Sequence, residues 1–132
     1  MTVFESDYFQ KLKFDGGQVK RFSTAARKDL KIASGANQPE VIFKFSYDAL
    51  IKLGIALVAA QGYKIRSRAG HHVKIIEKLS EILQDGNIEI YANQMRKIRN
   101  ADFYDGGFLI TTKQAKDFLK FVENVFKQAA RY

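Results

Sequence analysis

Glu40–Gln61, EVIFKFSYDALIKLGIALVAAQ, is the most apolar stretch of the chain, and what it becomes decides the fold. Lys44, Asp48 and Lys52 interrupt it, so no uninterrupted apolar run approaches the ~18 residues that a membrane span requires. It reads instead as a buried helix that begins after Pro39. At the helical period Ile42, Phe45, Ala49, Leu53, Ala56 and Ala60 form one stripe. Phe43, Tyr47, Ile51, Ile55 and Val58 form a second on the other side. A helix apolar on nearly all sides must be covered on nearly all sides. Either it runs through the middle of a bundle, or the second stripe is the contact of a homodimer, a usual outlet for such surface.

Outward from this helix, glycine and the lone proline mark the breaks. Gly16-Gly17, 35–39, 62–70, 84–87 and Asp105-Gly106-Gly107 read as loops. Four further helical patterns lie between them. About Ser23–Ser34, Phe22, Ala26, Leu30 and Ala33 share a face with Asp29 among them, and Ser23 or Thr24 is the candidate cap. Ala69–Leu83 turns Ile75, Ile76, Leu79, Ile82 and Leu83 inward, with His72 on the same face. About Ile88–Phe103, Ile88, Ala92 and Met95 share a face with Ile98 at its margin. About Thr112–Arg131, Ala115, Phe118, Val122, Val125 and Ala129 face inward behind a cap at Thr111 or Thr112. Nothing alternates strictly over a strand's length. The expectation is an all-α fold, an up-and-down bundle of about five helices in one domain spanning 1–132, with 1–17 as an N-terminal arm.

The bulk numbers suit that expectation. A chain of 132 residues with 46% hydrophobic and 27% charged residues can build one globular core. The absence of cysteine excludes disulfides, thiolate metal sites and a cysteine nucleophile. MTVFESDYFQ has no basic start followed by an apolar run, so a cytoplasmic location is expected and a membrane role is not. Lys and Arg number 22 against 14 Asp and Glu, a net charge of +8 with a pI near 9.7. That balance favours an anionic partner, of which RNA or DNA is the commonest.

Residues 95–105, MRKIRNADFYD, carry the most pointed chemistry. Continuing the apolar face of Ile88, Ala92 and Met95 brings up Arg99 and Asp102, two charges where apolar side chains are called for. A buried charge needs a partner, so Arg99 is expected to point inward toward Asp102 and Asp29, as a structural ion pair or as part of a site. His72 is the one near-neutral titrating group on an inward face, and beside Arg99 it would suit phosphodiester chemistry. Tyr63, Lys64, Arg66 and Arg68 mix an aromatic ring with cations in one loop, a combination that can stack a base and neutralise phosphates. His71 and His72 point about 100° apart on a helix and cannot chelate one ion, and no phosphate loop exists, so neither metal nor cofactor is expected.

Ala26-Arg27-Lys28-Asp29-Leu30, Phe45-Ser46-Tyr47-Asp48-Ala49-Leu50, Gly62-Tyr63 leading to Gly70-His71-His72, and Arg96 through Asp105, in that order, resemble the HEPN domain. This family of small helical bundles is common in bacterial and archaeal toxin–antitoxin and defence systems, and the likeness covers most of 20–130. The resemblance implies a homodimer, often beside a nucleotidyltransferase partner, and either metal-independent endoribonuclease activity or a non-catalytic role in binding RNA or a partner. The family's motif is an arginine, commonly followed by asparagine, with a histidine a few residues on. Arg99-Asn100 match its start, whereas Phe103, Tyr104 and Asp105 stand where the histidine would lie. The expectation is therefore a non-catalytic or weakly catalytic protein acting on RNA or a nucleotide, with Arg99, Asn100, Tyr104 and His72 at the site. Tyr63, Lys64, Arg66, Arg68 and Arg96 are the expected nucleic-acid contacts. The alternatives are an active endoribonuclease using His72 or Tyr104, and a protein–protein adaptor paired with a nucleotidyltransferase.

Overall fold

The computed structural model describes residues 2–105 and 110–132, the stretch 102–105 by its backbone alone. Five helices account for most of it: α1 (Gly16–Gly35), α2 (Pro39–Ala60), α3 (His71–Leu83), α4 (Gly86–Asp105) and α5 (Thr112–Ala129). The fold is an all-α helical bundle, as the periodicity predicts. Two strands, β1 (Phe9–Lys11) and β2 (Tyr63–Ile65), pair antiparallel with Phe9 opposite Ile65 and Lys11 opposite Tyr63. The sequence reading contains no strand, because three residues are too few for alternation to register.

α2 runs through the middle and packs against α1, α3, α4 and α5. Pro39 opens it, at a position where its missing N–H costs nothing. The chain itself covers most of both apolar stripes: Ile42, Ala49, Leu53 and Ala56 are buried, and so are Phe43, Tyr47, Ile51 and Val58, while Phe45 and Ile55 are half-buried and Ala60 is exposed. Phe43, Tyr47, Ile51 and Val58 are thus taken up inside one chain, which corrects them as the expected dimer contact, while Ile55 of the same stripe stays half-buried. No helix among the described residues is long and apolar enough to cross a membrane. Gly54 lets α3 approach α2 closely: a Cβ there would lie 2.5 Å from Ile75 Cγ2.

Helix ends follow local chemistry. α1 starts at Gly16, not near Ser23. Asp15 caps it, accepting from the Gln18 N–H at 2.8 Å while the Gln18 side chain accepts from the Asp15 N–H at 3.0 Å. This capping box outweighs the poor helix propensity of Gly16 and Gly17, and Phe14 closes against Phe22 edge to face. Thr111 and Gln114 form the same box at α5, matching the sequence reading.

The N-terminal arm is a folded strap. Phe9 is buried with Val58 and Ile82 in a second small core, and Phe4 stacks on Tyr63 with ring centroids 4.1 Å apart. Lys78 of α3, its side chain only 1% exposed, meets Glu5 at 2.9 Å, Glu81 at 3.2 Å and Glu77 at 3.3 Å. Burial alone would lower the pKa of Lys78, but its hydrogen bonds to Glu5 and Glu81 outweigh that and raise it. Asp29 finds its partner within the α1–α2 contact, Lys52 at 2.7 Å. The expected approach of Arg99 to Asp29 is thereby corrected: a carboxylate satisfied by a neighbouring lysine needs no second cation.

Candidate nucleic-acid interface

α3 begins at Gly70, whose φ of 81° is the left-handed conformation that glycine adopts without strain. No described side chain caps this helix; the His71 N–H donates to the Arg68 carbonyl at 3.1 Å, and the positive end of the helix dipole faces the space in front. Across that space runs α4, where Arg96, Arg99 and Asn100 fall at spacings of three and four residues on one side. Between them lies an open cleft of about 480 Å³, lined by Arg68, His71, His72, Arg96, Arg99 and Asn100 among others. No carboxylate lines it among the described residues.

His72 is fixed at the back of the cleft. Its Nδ1 lies 3.0 Å from the hydroxyl of Tyr47, a fully buried residue of α2. Burial, with the neighbouring charges of His71, Arg99 and Arg96, pushes the His72 pKa down to about 4. Burial lifts the Tyr47 hydroxyl to about 12, against the pull of Arg99 and Arg96. At neutral pH both groups are uncharged. The phenol can then donate to Nδ1, which puts the ring hydrogen of His72 on Nε2.

His71 is held differently. Its Nδ1 lies 2.7 Å from the Arg68 carbonyl oxygen, which can only accept, so Nδ1 carries the hydrogen and donates. The two histidine rings meet edge to face at 4.5 Å. Arg96 Nε donates to the Asn93 side chain at 3.1 Å, which orients its guanidinium while leaving other N–H groups to bind.

Arg99 departs from expectation. It is exposed, its guanidinium 5.4 Å above the Tyr47 ring, and no described carboxylate pairs with it. An aromatic face supports a cation without removing it from water, so the charge on an otherwise apolar face carries little burial penalty. The expected contact with Asp102 and the expected role of Tyr104 rest on side chains outside the described residues.

The 63–68 group divides. Arg68 lines the cleft, but Tyr63, Lys64 and Arg66 do not. One face of the half-buried Tyr63 ring is stacked on Phe4, away from the cleft. Arg66 Nε donates to the Ser6 carbonyl at 3.0 Å, so its first task is structural. Lys64 is exposed on β2. Sequence reading missed two members of the site. Tyr47 passed for one more apolar residue of α2, and only its spatial meeting with His72, 25 positions on, reveals its role. For His71 the sequence offers only its pairing with His72, which excludes a shared metal and says nothing of the Arg68 carbonyl it bonds. Among the described residues no cluster of three or more histidines and carboxylates is arranged to hold a metal ion.

No family model matches the chain, and no curated protein or solved structure is significantly similar to it.

Proposed function

We propose that this protein binds RNA through the cleft between α3 and α4, as a non-catalytic or weakly catalytic protein of HEPN type in a toxin–antitoxin or defence setting. The observation that carries the reading is the concentration of Arg68, Arg96 and Arg99, with an uncapped helix N-terminus, around a cleft that no described carboxylate lines. Arginine forks and helix N-termini are both suited to phosphate oxygens, and Asn100 adds a neutral donor. The net charge of +8 would draw a polyanion toward it.

Binding is favoured over cleavage by the state of His72. A histidine whose pKa lies near 4 is a weak proton acceptor at neutral pH and is not there in the imidazolium form that a general acid needs, and its Nδ1 is engaged by Tyr47. The test is titration of the protein with a labelled single-stranded RNA over a range of salt concentrations, with and without EDTA. Affinity should fall steeply as salt rises, because each phosphate contact releases counterions, and EDTA should not matter. Affinity that stays flat from low to moderate salt would contradict a phosphate-driven site and favour the adaptor reading.

A further inference from the structure

Segment 4–11 meets the cleft at Arg68, and holds that residue twice. The Asp7 carbonyl accepts from Arg68 Nη1 at 2.8 Å, and the Arg68 guanidinium lies 5.1 Å above the Tyr8 ring. The Arg68 carbonyl in turn accepts from both the backbone N–H of His71, at 3.1 Å, and its Nδ1, at 2.7 Å. A Cβ on Gly70 would stand 3.6 Å from the Tyr8 hydroxyl, so the tyrosine also backs the turn that opens α3.

The segment is itself firmly held. Backbone bonds from Tyr8 and Phe9 to the Glu5 carbonyl, at 3.1 and 2.9 Å, close a turn. Glu5 then reaches the buried ammonium of Lys78 at 2.9 Å and Lys74 at 3.7 Å, while Lys74 also sits 5.4 Å from the Tyr8 ring. A free arginine on a loop samples many rotamers and loses that freedom when it binds an anion, whereas one seated on a ring and bonded to a fixed carbonyl has already lost it.

We infer that segment 4–11 is a strap that presets the anion cleft, with Tyr8 as the positioning residue for Arg68 and, through the Arg68 carbonyl, for His71. The inference rests on the cleft being the RNA site. It adds that the cleft's affinity is set from the far end of the chain, by a residue that itself contacts no ligand.

The experiment measures binding of a labelled oligouridylate by the full chain as wild type, Tyr8→Ala, Tyr8→Phe, Arg68→Ala and the Tyr8→Ala/Arg68→Ala double variant. Tyr8→Ala is expected to weaken binding about three- to tenfold, the range for a lost cation–π support. Tyr8→Phe keeps the ring and is expected to restore wild-type binding. The double variant is expected to bind no more weakly than Arg68→Ala alone, because Tyr8 acts through that arginine, whereas a merely structural tyrosine would add its own loss. Where Tyr8→Ala lowers the melting temperature below that of the assay, Tyr8→Leu keeps apolar cover without the ring and replaces it. In the absence of RNA, the ring-nitrogen shifts of His71 should report a protonated, hydrogen-bonded Nδ1 in the wild type and a redistributed proton in Tyr8→Ala. Additive losses, or Tyr8→Ala binding like wild type, would overturn the strap's role while the cleft reading stands. A wild type that binds no RNA, with His71 shifts that still respond to Tyr8→Ala, would overturn the cleft reading and uphold the positioning.

Discussion

Arg99 and His72 face the same problem, polarity on an inward side of a helix, and meet it in opposite ways through one residue. Tyr47 offers its ring face to the Arg99 guanidinium and its hydroxyl to the His72 ring. Water still reaches the arginine, and the histidine stays neutral because burial is the largest influence on it. A pH dependence follows. The folded-state pKa of His72, about 4, lies below its ordinary 6.5, so the unfolded chain binds its proton first as pH falls. Its contribution to stability is complete above pH 6.5 and is lost progressively between 6.5 and about 4. His71, Arg96 and Arg99 oppose its protonation, and Asp48 works weakly the other way. The melting temperature of the wild type should therefore decline across that window, and His72→Gln should flatten the decline. Glu5, whose pKa the Lys78 ammonium lowers from 4.5, acts separately: its contribution is present above pH 4.5 and lost below. An unchanged slope in His72→Gln would show that the ring is not held neutral. Asp29 supplies a second case at this scale. Lys52→Ala would leave its buried carboxylate without its cation, and a loss of about 1–3 kcal/mol by denaturant unfolding is expected.

Among the elements, α2 is where packing is tightest. Gly54→Ala should improve helix propensity by up to ~1 kcal/mol, yet its new methyl would meet Ile75 Cγ2 at 2.5 Å. Ile75 is buried and β-branched, with little freedom to yield. Overpacking should win, at a net cost of about 1–3 kcal/mol seen as a lower melting temperature; a stabilised variant would mean that α3 can slide away. The contrast between elements shows what a sequence makes legible. α5 is read correctly because its evidence is local: a Thr111–Gln114 box followed by a clean apolar period. α1 is misread at its start because the Asp15–Gln18 box is filled with two glycines, which look like a loop until the cap bonds are seen. β1 and β2 escape because each is three residues long and is defined by its partner some fifty positions away. Lys78 looks like a solvated helix lysine, and the glutamate that makes its burial possible lies 73 positions off.

At the scale of the whole molecule, the same division holds for the site. Arg99, Arg68 and His72 were legible by residue type and spacing, Arg96 and Asn100 through the family resemblance, and the fold brings all five to one cleft. What the sequence could not convey is which cations are tethered to backbone carbonyls of the N-terminal segment. Arg66 bonds the Ser6 carbonyl and Arg68 the Asp7 carbonyl, so reversing both to glutamate should cost stability as well as RNA affinity, with a lower melting temperature as the sign. The cleft reading is tested most directly at Arg99, an exposed residue with no described ion pair to break. Wild type, Arg99→Lys and Arg99→Ala are to be compared by melting temperature and by affinity for a labelled single-stranded RNA at fixed low salt. Both variants should melt close to wild type, as surface substitutions do, within about 0.5 kcal/mol. Arg99→Ala should lose about tenfold in affinity and Arg99→Lys less, since lysine keeps the charge without the planar fork. A well-folded Arg99→Ala protein that binds RNA as tightly as wild type would contradict the account.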